Sequence, residues 1–241
     1  MLQPLKGQTF EEYANDTFLP YVITYRAKRI DVVWDVYVDN SLKEHTRGNR
    51  GKGKRRKVEC NVKVPSNWKE FLRDSKNKTE LFHFLSTKIS SHDCDKILIS
   101  TFNAGVHGNI PCEVDLSPLE PCSHEEAGTR LLVHVHHAQV TGFKNVIITV
   151  DTDVLAIAVS VTPSFGIGHI WLMFGTGNDT KYIDVKAVAE RLGQRKAKGL
   201  PIFHAFTGCD SVSSFSTVGK KTAWAAWKAC PEMNEVFAFV D

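Results

Sequence analysis

Residues 145–153 read Asn-Val-Ile-Ile-Thr-Val-Asp-Thr-Asp. The apolar run from Val146 to Val150 is short and rich in β-branched side chains, which favours a buried β-strand. Asp151 and Asp153 follow it directly. In an open parallel sheet, ligands bind beyond the carboxyl ends of the strands, so these two carboxylates could face one metal ion. The alternative from the residues alone is that one of them only caps the helix that follows.

Four further segments have the same strand-like character and also end in polar residues or turns: Ile30–Trp34, Ile97–Ser100, Ile170–Phe174 and Tyr182–Val185. The last of these is expected to pair back on its predecessor as a hairpin. Helical periodicity occupies the intervals: Asn67–Phe71, Thr79–Ser90, Ser123–Val140, Lys186–Leu192, Leu200–Thr207 and Lys220–Ala229. Alternating strands and helices predict an α/β fold with a mainly parallel central sheet flanked by helices.

The composition excludes several classes of protein. A chain of 241 residues with 42% hydrophobic content can bury a core of its own. The longest apolar stretch, Val154–Val161, is too short to cross a bilayer, and residues 1–4 open no signal-peptide pattern, so we expect an intracellular protein with no membrane partner. Six cysteines without a CxxC pair fit neither a zinc ribbon nor a disulfide framework and are expected to be reduced.

Positive charge is concentrated in one stretch, residues 43–57, which we name the basic segment. Its Lys and Arg residues are Lys43, Arg47, Arg50, Lys52, Lys54, Arg55, Arg56 and Lys57. The segment has one acid, so the remaining sequence carries a net charge of −4 although the whole chain carries +3. Such a strip favours a nucleic-acid partner because each neutralised phosphate releases counterions. A solvated loop or a nuclear-import signal are the alternatives, and Thr46–Lys57 is expected to be an exposed, poorly packed loop.

Three further acids are candidates for the same site, and two of them have a simpler local explanation. Asp35 ends the strand at Trp34 and would lie at the same sheet edge as Asp151. Glu126 closes the tetrad Ser123-His-Glu-Glu, which is also a capping box. Asp210 follows Thr207-Gly-Cys, where an acid commonly turns the chain. Glu126 and Asp210 alone are explained by local structure.

The order of the motifs resembles the flap-endonuclease (XPG) branch of the PIN-like nucleases, and most closely uncharacterised PIN-like proteins associated with mobile elements. The pieces that carry the likeness are Trp34-Asp35, the basic segment, an apolar helix after Glu-Glu-Ala, the Asp-Thr-Asp motif, and Gly219-Lys-Lys-Thr-Ala. Its most specific pieces are residues 124–127, His-Glu-Glu-Ala, and 204–210, His-Ala-Phe-Thr-Gly-Cys-Asp. The resemblance extends from about Thr9 to Val240.

The resemblance implies one PIN-like domain over 1–241 with a C-terminal helical, DNA-binding part over 200–241. In that family, carboxylates hold two Mg²⁺ or Mn²⁺ ions that cleave phosphodiesters. The positions that match the family's acids are Asp35, Glu126, Asp151, Asp153 and Asp210. In the same family a helix-turn-helix binds duplex phosphates, and in some members it also binds a K⁺ ion. The residues that match this motif are Gly219, Lys220 and Lys221.

Two departures from the family pattern predict weak metal binding. Relatives carry a second acid where this chain has Gly128, and they begin with a central strand ending in Asp, which Met1–Tyr25 does not contain by pattern. Mg²⁺ keeps its waters unless several anionic oxygens hold it, so losing two ligands weakens the site. The absent central strand also leads us to expect a fragment of a longer gene product.

Three functions remain open on these residues. The first is a structure-selective nuclease fold acting on DNA, which is degenerate and inactive in this chain if the metal site no longer binds its ions. The second is a non-catalytic nucleic-acid-binding module that keeps the fold, and the third is a protein-interaction scaffold in which the acids are only caps. Salt-dependent DNA binding separates the first two from the third.

Overall fold

The computed structural model describes residues 1–38, 53–110, 114–149, 153–165, 168–175, 177–209 and 216–238. The chain divides into two compact units, Met1–Arg130 and Leu131–Asp241. Both are of the α/β type, as predicted, and each contains a three-stranded mixed sheet. That the whole chain forms one PIN-like domain stays a prediction.

Unit 1 opens with a continuous helical segment and ends with the start of a helix that crosses the unit boundary. Its elements are α1 (Phe10–Glu12), a π-helix (Tyr13–Phe18), α2 (Leu19–Ile23), β1 (Arg29–Val32), α3 (Trp68–Phe71), α4 (Ser75–Ser90), β2 (Ile97–Phe102), β3 (Gly105–Asn109), a 3₁₀-helix (Ser117–Leu119) and α5 (Ala127–Val140). A capping box starts α1, because the Thr9 hydroxyl accepts the Glu12 N–H at 3.2 Å and the Glu12 carboxylate accepts the Thr9 N–H at 2.7 Å. Residues 1–25, all described, form no strand beyond an isolated bridge at Thr9.

The sheet of unit 1 has the order β1-β2-β3, with β1 parallel and β3 antiparallel to β2. Its core is made by the N-terminal helical segment, α3 and α4 packing around β2. Phe10, Tyr13, Leu81, Leu85 and Leu98 are fully buried there. Their burial fixes β2 and therefore the edge at which both parallel strands end.

Asn77 joins the basic segment to α4. Its side chain is fully buried, accepts the Arg56 N–H at 2.9 Å, and donates to Lys54 O and Phe71 O, both at 2.9 Å. Gly53 also lies close to this helix start, because an added Cβ would stand 2.6 Å from the backbone nitrogen of Asp74, the N-cap of α4. The residues 53–57 are thus anchored through their backbone.

Replacing Asn77 with Ala should lower the free energy of unfolding by about 2 kcal/mol, because the partners of a buried amide lose their hydrogen bonds together. Urea unfolding followed by circular dichroism measures the change. The matched control is Asn61→Ala at an exposed position, for which we expect less than about 0.5 kcal/mol. Equal stability of the two variants would show that Asn77 does not anchor the segment.

Unit 2 contains the second sheet and a helical C-terminal part. Its elements are β4 (Asn145–Thr149), α6 (Asp153–Phe165), β5 (His169–Phe174), a 3₁₀-helix (Gly177–Asp179), β6 (Lys181–Asp184), α7 (Val185–Leu192), α8 (Gln194–Phe206), α9 (Lys220–Ala229) and α10 (Met233–Ala238). β4 pairs parallel with β5, and β6 returns antiparallel to β5 across the predicted hairpin. Residues of α5, α6 and α7 pack on this sheet, with Ile148, Leu172 and Val185 fully or almost fully buried.

A separate aromatic cluster joins the helices of the C-terminal part. Trp227 is 3% exposed and stacks on Phe203 at 4.8 Å between ring centroids, and Phe237 packs edge-on against Trp227. Trp224 packs against the same cluster. The interpretation as a core residue is therefore confirmed for Trp227, and Trp224 is partly buried against the cluster.

The five predicted strands are all present, with ends shifted by one or two residues. β3 was not predicted, α6 was implied only as the helix that an acid could cap and was given no bounds, and α5 begins at Ala127 rather than at Ser123. Among the described residues the six strands form two mixed sheets; the finer prediction of one mainly parallel PIN-like sheet with a helix-turn-helix stays a prediction. None of the helices in the described ranges is long and apolar enough to cross a membrane.

Candidate functional site

Asp35 follows β1 at the edge where β1 and β2 both end. Trp34 fixes this position: its backbone N–H donates to Thr101 Oγ1 at 2.9 Å, and its indole N–H lies 3.0 Å from both Ser86 Oγ and Ser100 Oγ. The indole also stacks on Phe82, with 4.4 Å between centroids and 13° between planes. The chain therefore leaves β1 in one fixed direction.

Asp35 lies against the start of α5. Its Oδ1 accepts the Ala127 N–H at 3.0 Å, across 92 positions of sequence, and the next residue, Val36, donates to Glu125 O at 2.9 Å. A carboxylate at a helix N-terminus is stabilised by the unpaired N–H groups and by the helix dipole. Asp35 and Glu126, two of the predicted acids, are thus brought to the same helix start.

The capping box expected at Ser123–Glu126 is wrong as a helix start. Because α5 begins at Ala127, Glu126 is the residue just before the helix, and its carbonyl accepts the Arg130 N–H at 3.2 Å. The Glu126 side chain is exposed. Instead, the Asp35 carboxylate accepts the first N–H of the helix. Asp35 therefore caps a helix, which was the alternative to metal binding for the predicted acids.

A small depression opens beside Asp35. Its wall is made by aromatic residues and by a few polar ones: Trp34, Asp35, Val36, Tyr37, Thr79, Phe82, Thr101, Phe102 and Asn103. Asn103 has φ +48, a left-handed conformation that asparagine tolerates better than most residues. This turn follows β2, so the depression lies at the carboxyl edge of the parallel pair β1 and β2.

Arg130 holds that turn in place. Its guanidinium is fully buried and donates to Asn103 O and, at 2.8 Å, to Gly105 O. Burial lowers the pKa of Arg130, because the charged form loses its hydration. Sequence reasoning missed this residue; its signal was the polar spacing Arg130, His134, His137 on one face of an otherwise apolar helix, and both histidines are buried as well.

In unit 2, Asp153 is the first residue of α6 and follows β4, which is the parallel partner of β5. Its Oδ1 lies 3.4 Å from His204 Nε2, near the end of α8. The Asp153 side chain is 53% exposed and that of His204 is 24% exposed. His204 is the first residue of the motif at 204–210, but the sequence did not indicate that it contacts an acid.

Lys220, the first residue of α9, completes the group. Its ammonium donates to Gly208 O at 2.5 Å and to His204 O at 3.1 Å, and it lies 3.3 Å from both Thr207 Oγ1 and His204 Nδ1. The ammonium thereby satisfies carbonyls at the end of α8. A phosphate contact by Lys220 stays a prediction and would compete with these bonds; Gly219, Lys220 and Lys221 are all exposed.

The metal prediction is only partly covered by the described residues. Asp151 and Asp210 lie outside them, and among the residues that are described no three His, Cys, Asp or Glu side chains are grouped closely enough to hold an ion. The donor chemistry fits a hard divalent cation, since all five predicted ligands are carboxylates. The two-metal site, with Mg²⁺ or Mn²⁺, and the K⁺ site therefore stay predictions.

The basic segment is described only from residue 53 onward, so Lys43, Arg47, Arg50 and Lys52 lie outside the described residues. Residues 54–57 are exposed, as predicted, but they are better packed than expected, because Asn77 holds their backbone. Arg55 pairs with Glu80 and bonds Asn77 Oδ1 at 2.8 Å, and Lys57 pairs with Glu59 at 2.6 Å. The bond to Glu59 raises the pKa of Lys57.

No family model, no curated protein and no solved structure matches this chain. The likeness to PIN-like nucleases therefore rests on the sequence motifs.

Proposed function

We propose that this chain is a divalent-metal-dependent nuclease fold acting on DNA, of the flap-endonuclease type, with a weakened metal site. The observation that supports this most is the meeting of Asp35 with the start of α5 beside Glu126, at the carboxyl edge of β1 and β2. Residues this distant in sequence meet at a sheet edge where ligands bind in α/β folds. In unit 2, Asp153 occupies the corresponding place after β4.

The predicted ligands are Asp35, Glu126, Asp151, Asp153 and Asp210. Bound Mg²⁺ or Mn²⁺ would supply the activated water and the charge that steadies the leaving oxygen. The chain's own contribution is to present the carboxylates: Trp34 orients Asp35, and the N–H of Ala127 holds one of its oxygens. Glu126, an exposed residue, directly precedes Ala127 in the sequence.

A non-catalytic nucleic-acid-binding module is the second candidate, and one observation favours it. Asp35 Oδ1 already accepts a hydrogen bond as a helix cap. This oxygen therefore stabilises the fold, whether or not a metal ion binds. The anchored residues 54–57 still offer positive charge at the surface. In that case the chain would bind DNA with a salt dependence but would not need metal.

Asp35→Asn separates capping from metal binding. Asparagine keeps an Oδ1 acceptor for Ala127 N–H but removes the charge, so the fold should persist. We expect Mn²⁺ binding, measured by electron paramagnetic resonance of the free ion, to weaken roughly tenfold or more, since a carboxylate and a divalent ion attract by about 2 kcal/mol at 4 Å in water. The control is Asp16→Asn, at an exposed position in the N-terminal π-helix.

Unchanged Mn²⁺ affinity in Asp35→Asn, with normal thermal stability, would contradict the nuclease proposal at this residue and leave the non-catalytic module as the better description. Loss of affinity together with loss of stability would mean that the amide fails as a cap. Thermal unfolding of both variants therefore accompanies the binding measurement.

A further inference from the structure

Side chains from the ends of three helices meet in unit 2: Asp153 from the start of α6, His204 from near the end of α8, and Lys220 from the start of α9. Both ring nitrogens of His204 face a charged group. Nδ1 lies 3.3 Å from the Lys220 ammonium and Nε2 lies 3.4 Å from Asp153 Oδ1. Nε2 is buried from solvent and makes no well-aligned hydrogen bond, so the carboxylate is the charged group that it faces.

The ammonium decides where the ring proton lies. Lysine can only donate hydrogen bonds, so a bond between the ammonium and this ring nitrogen requires an unprotonated Nδ1. A neutral imidazole then carries its one proton on Nε2, on the side of Asp153. The direction of donation runs from Lys220 to His204 and from His204 toward Asp153.

Lys220 is itself held in place, so its ammonium stays on the Nδ1 side of the His204 ring. Its ammonium is bound to Gly208 O and His204 O, and Gly208 has φ +94, a conformation that closes the end of α8. The Asp153 side chain, in contrast, is half exposed and begins a helix. An exposed aspartate samples several rotamers, and a donor at Nε2 would restrict it to those that face His204.

We propose that Lys220 and His204 are positioning residues, in which Lys220 fixes the Nε2–H tautomer of His204 and His204 orients the Asp153 carboxylate toward a bound divalent ion. This inference rests on the proposed function, since it takes Asp153 as a metal ligand. Replacing a residue that hydrogen-bonds to a metal ligand typically weakens metal binding about 10- to 100-fold. We expect an effect of about tenfold for His204 and Lys220. Lys220 thereby acts on the acidic site and not only on nucleic acid.

The first measurement is the ring tautomer of His204 in the full chain, read from the ¹⁵N chemical shifts of its two ring nitrogens. We expect the Nε2–H form in the native chain and a mixture of both tautomers in Lys220→Met, which keeps the length of the side chain without its charge. The control is Lys198→Met, an exposed position on the same helix as His204. A merely structural role for Lys220 would change stability but would leave the tautomer as it is.

The second measurement is Mn²⁺ binding by the same proteins and by two histidine variants. His204→Gln places an amide N–H near the position of Nε2, whereas His204→Asn reaches only the position of Nδ1. We expect His204→Asn and Lys220→Met to weaken Mn²⁺ binding about tenfold and His204→Gln to retain affinity within about threefold of the native chain. Rescue by glutamine but not by asparagine is the signature of a donor aimed at Asp153.

The outcomes separate this inference from the proposed function. If Asp153→Asn weakens Mn²⁺ binding but Lys220→Met changes neither the tautomer nor the affinity, the inference is overturned and the metal role of Asp153 stands. If Mn²⁺ binding does not depend on Asp153, the metal role and the inference both fail, even where the tautomer depends on Lys220. A tautomer and an affinity that both depend on Lys220, with rescue by glutamine, support it.

Discussion

Replacing Gly128 with Asp is expected to tighten Mn²⁺ binding by about thirtyfold without producing more than marginal DNA cleavage. Gly128 is the second residue of α5, two positions after Glu126 and one after Ala127, whose N–H binds Asp35. A carboxylate introduced here would join the acids at the helix start. Its attraction for a divalent ion about 4 Å away in water is about 2 kcal/mol, which corresponds to that factor in affinity.

The substitution also changes the helix, so the controls must separate charge from propensity. Glycine in a helix costs up to about 1 kcal/mol relative to alanine, and an acid in the first turn is favourable for the helix dipole. Gly128→Asn has nearly the shape of the aspartate variant without its charge, and Gly128→Ala reports the helix effect alone. Only the aspartate variant should gain Mn²⁺ affinity, while all three should be at least as stable as the native chain.

Turnover should remain marginal because residues 1–25 do not supply the acid of a first central strand: they form helix from Phe10 to Ile23 and no strand beyond an isolated bridge. Two-metal cleavage needs ions about 4 Å apart, each held by several oxygens. The assay is cleavage of flap and single-stranded DNA with Mg²⁺ or Mn²⁺, comparing the native chain, Gly128→Asp and Asp151→Ala. Robust cleavage by the native chain that Asp151→Ala abolishes would show that five carboxylates suffice here.

The strands were predictable because each is a short apolar run with a polar boundary. The hydrophobic pattern located all five segments, including β1 and β4 with acids placed after them. β3 was missed because Gly105–Asn109 contains two glycines and a single large apolar residue, Val106, so its strand comes from pairing with β2 and not from its own propensity. Tertiary contacts decided that element.

The bounds of helix α6 were not predicted, for the opposite reason. Its run Val154–Val161 is rich in β-branched residues and lacks an exposed polar face, so periodicity could not distinguish a buried helix from a buried strand. The start of α5 was misplaced because Ser123 and Glu126 match a capping box, whereas the acid that meets the helix comes from Asp35. A local motif cannot reveal a partner 92 positions away.

The residues of the candidate site also fall into those that the sequence indicated and those that only the structure shows. The rule that acids follow parallel strands pointed to Asp35 and Asp153, and both lie at such positions. The partner of Asp153 could not be read from sequence, since His204 and Lys220 come from other helices and reach it only through the packing of α6, α8 and α9. Charge patterning found the basic segment but not its anchor, because Asn77 lies inside an ordinary helical sequence.

Neutralising Lys54 and Arg56 together is expected to lower the salt dependence of DNA binding by about two units in the slope of log K against log salt, because each lost phosphate contact removes about 0.9. Both side chains are exposed. Arg55 and Lys57 are already paired with Glu80 and Glu59. The two residues outside these pairs are therefore the ones we expect to contact phosphate.

The variant Lys54→Gln with Arg56→Gln is preferred to replacing all of residues 54–57 by alanine. Removing Arg55 would also remove its bonds to Asn77 and Glu80 and would mix a folding effect with a binding effect. The backbone bonds from Asn77 to Lys54 and Arg56 do not depend on their side chains. The double variant should therefore unfold at the temperature of the native chain.

The measurement is fluorescence anisotropy of labelled duplex and flap DNA between about 50 mM and 200 mM salt, over which the native chain should lose about tenfold more affinity than the variant. The control is Lys6→Gln with Lys69→Gln, which removes the same charge from exposed positions outside the basic segment. A control slope equal to that of the native chain would place the phosphate contacts on the basic segment. If instead both double variants lower the slope equally, the effect comes from net charge, residues 54–57 are not the binding surface, and the protein-interaction scaffold becomes the stronger reading of this region.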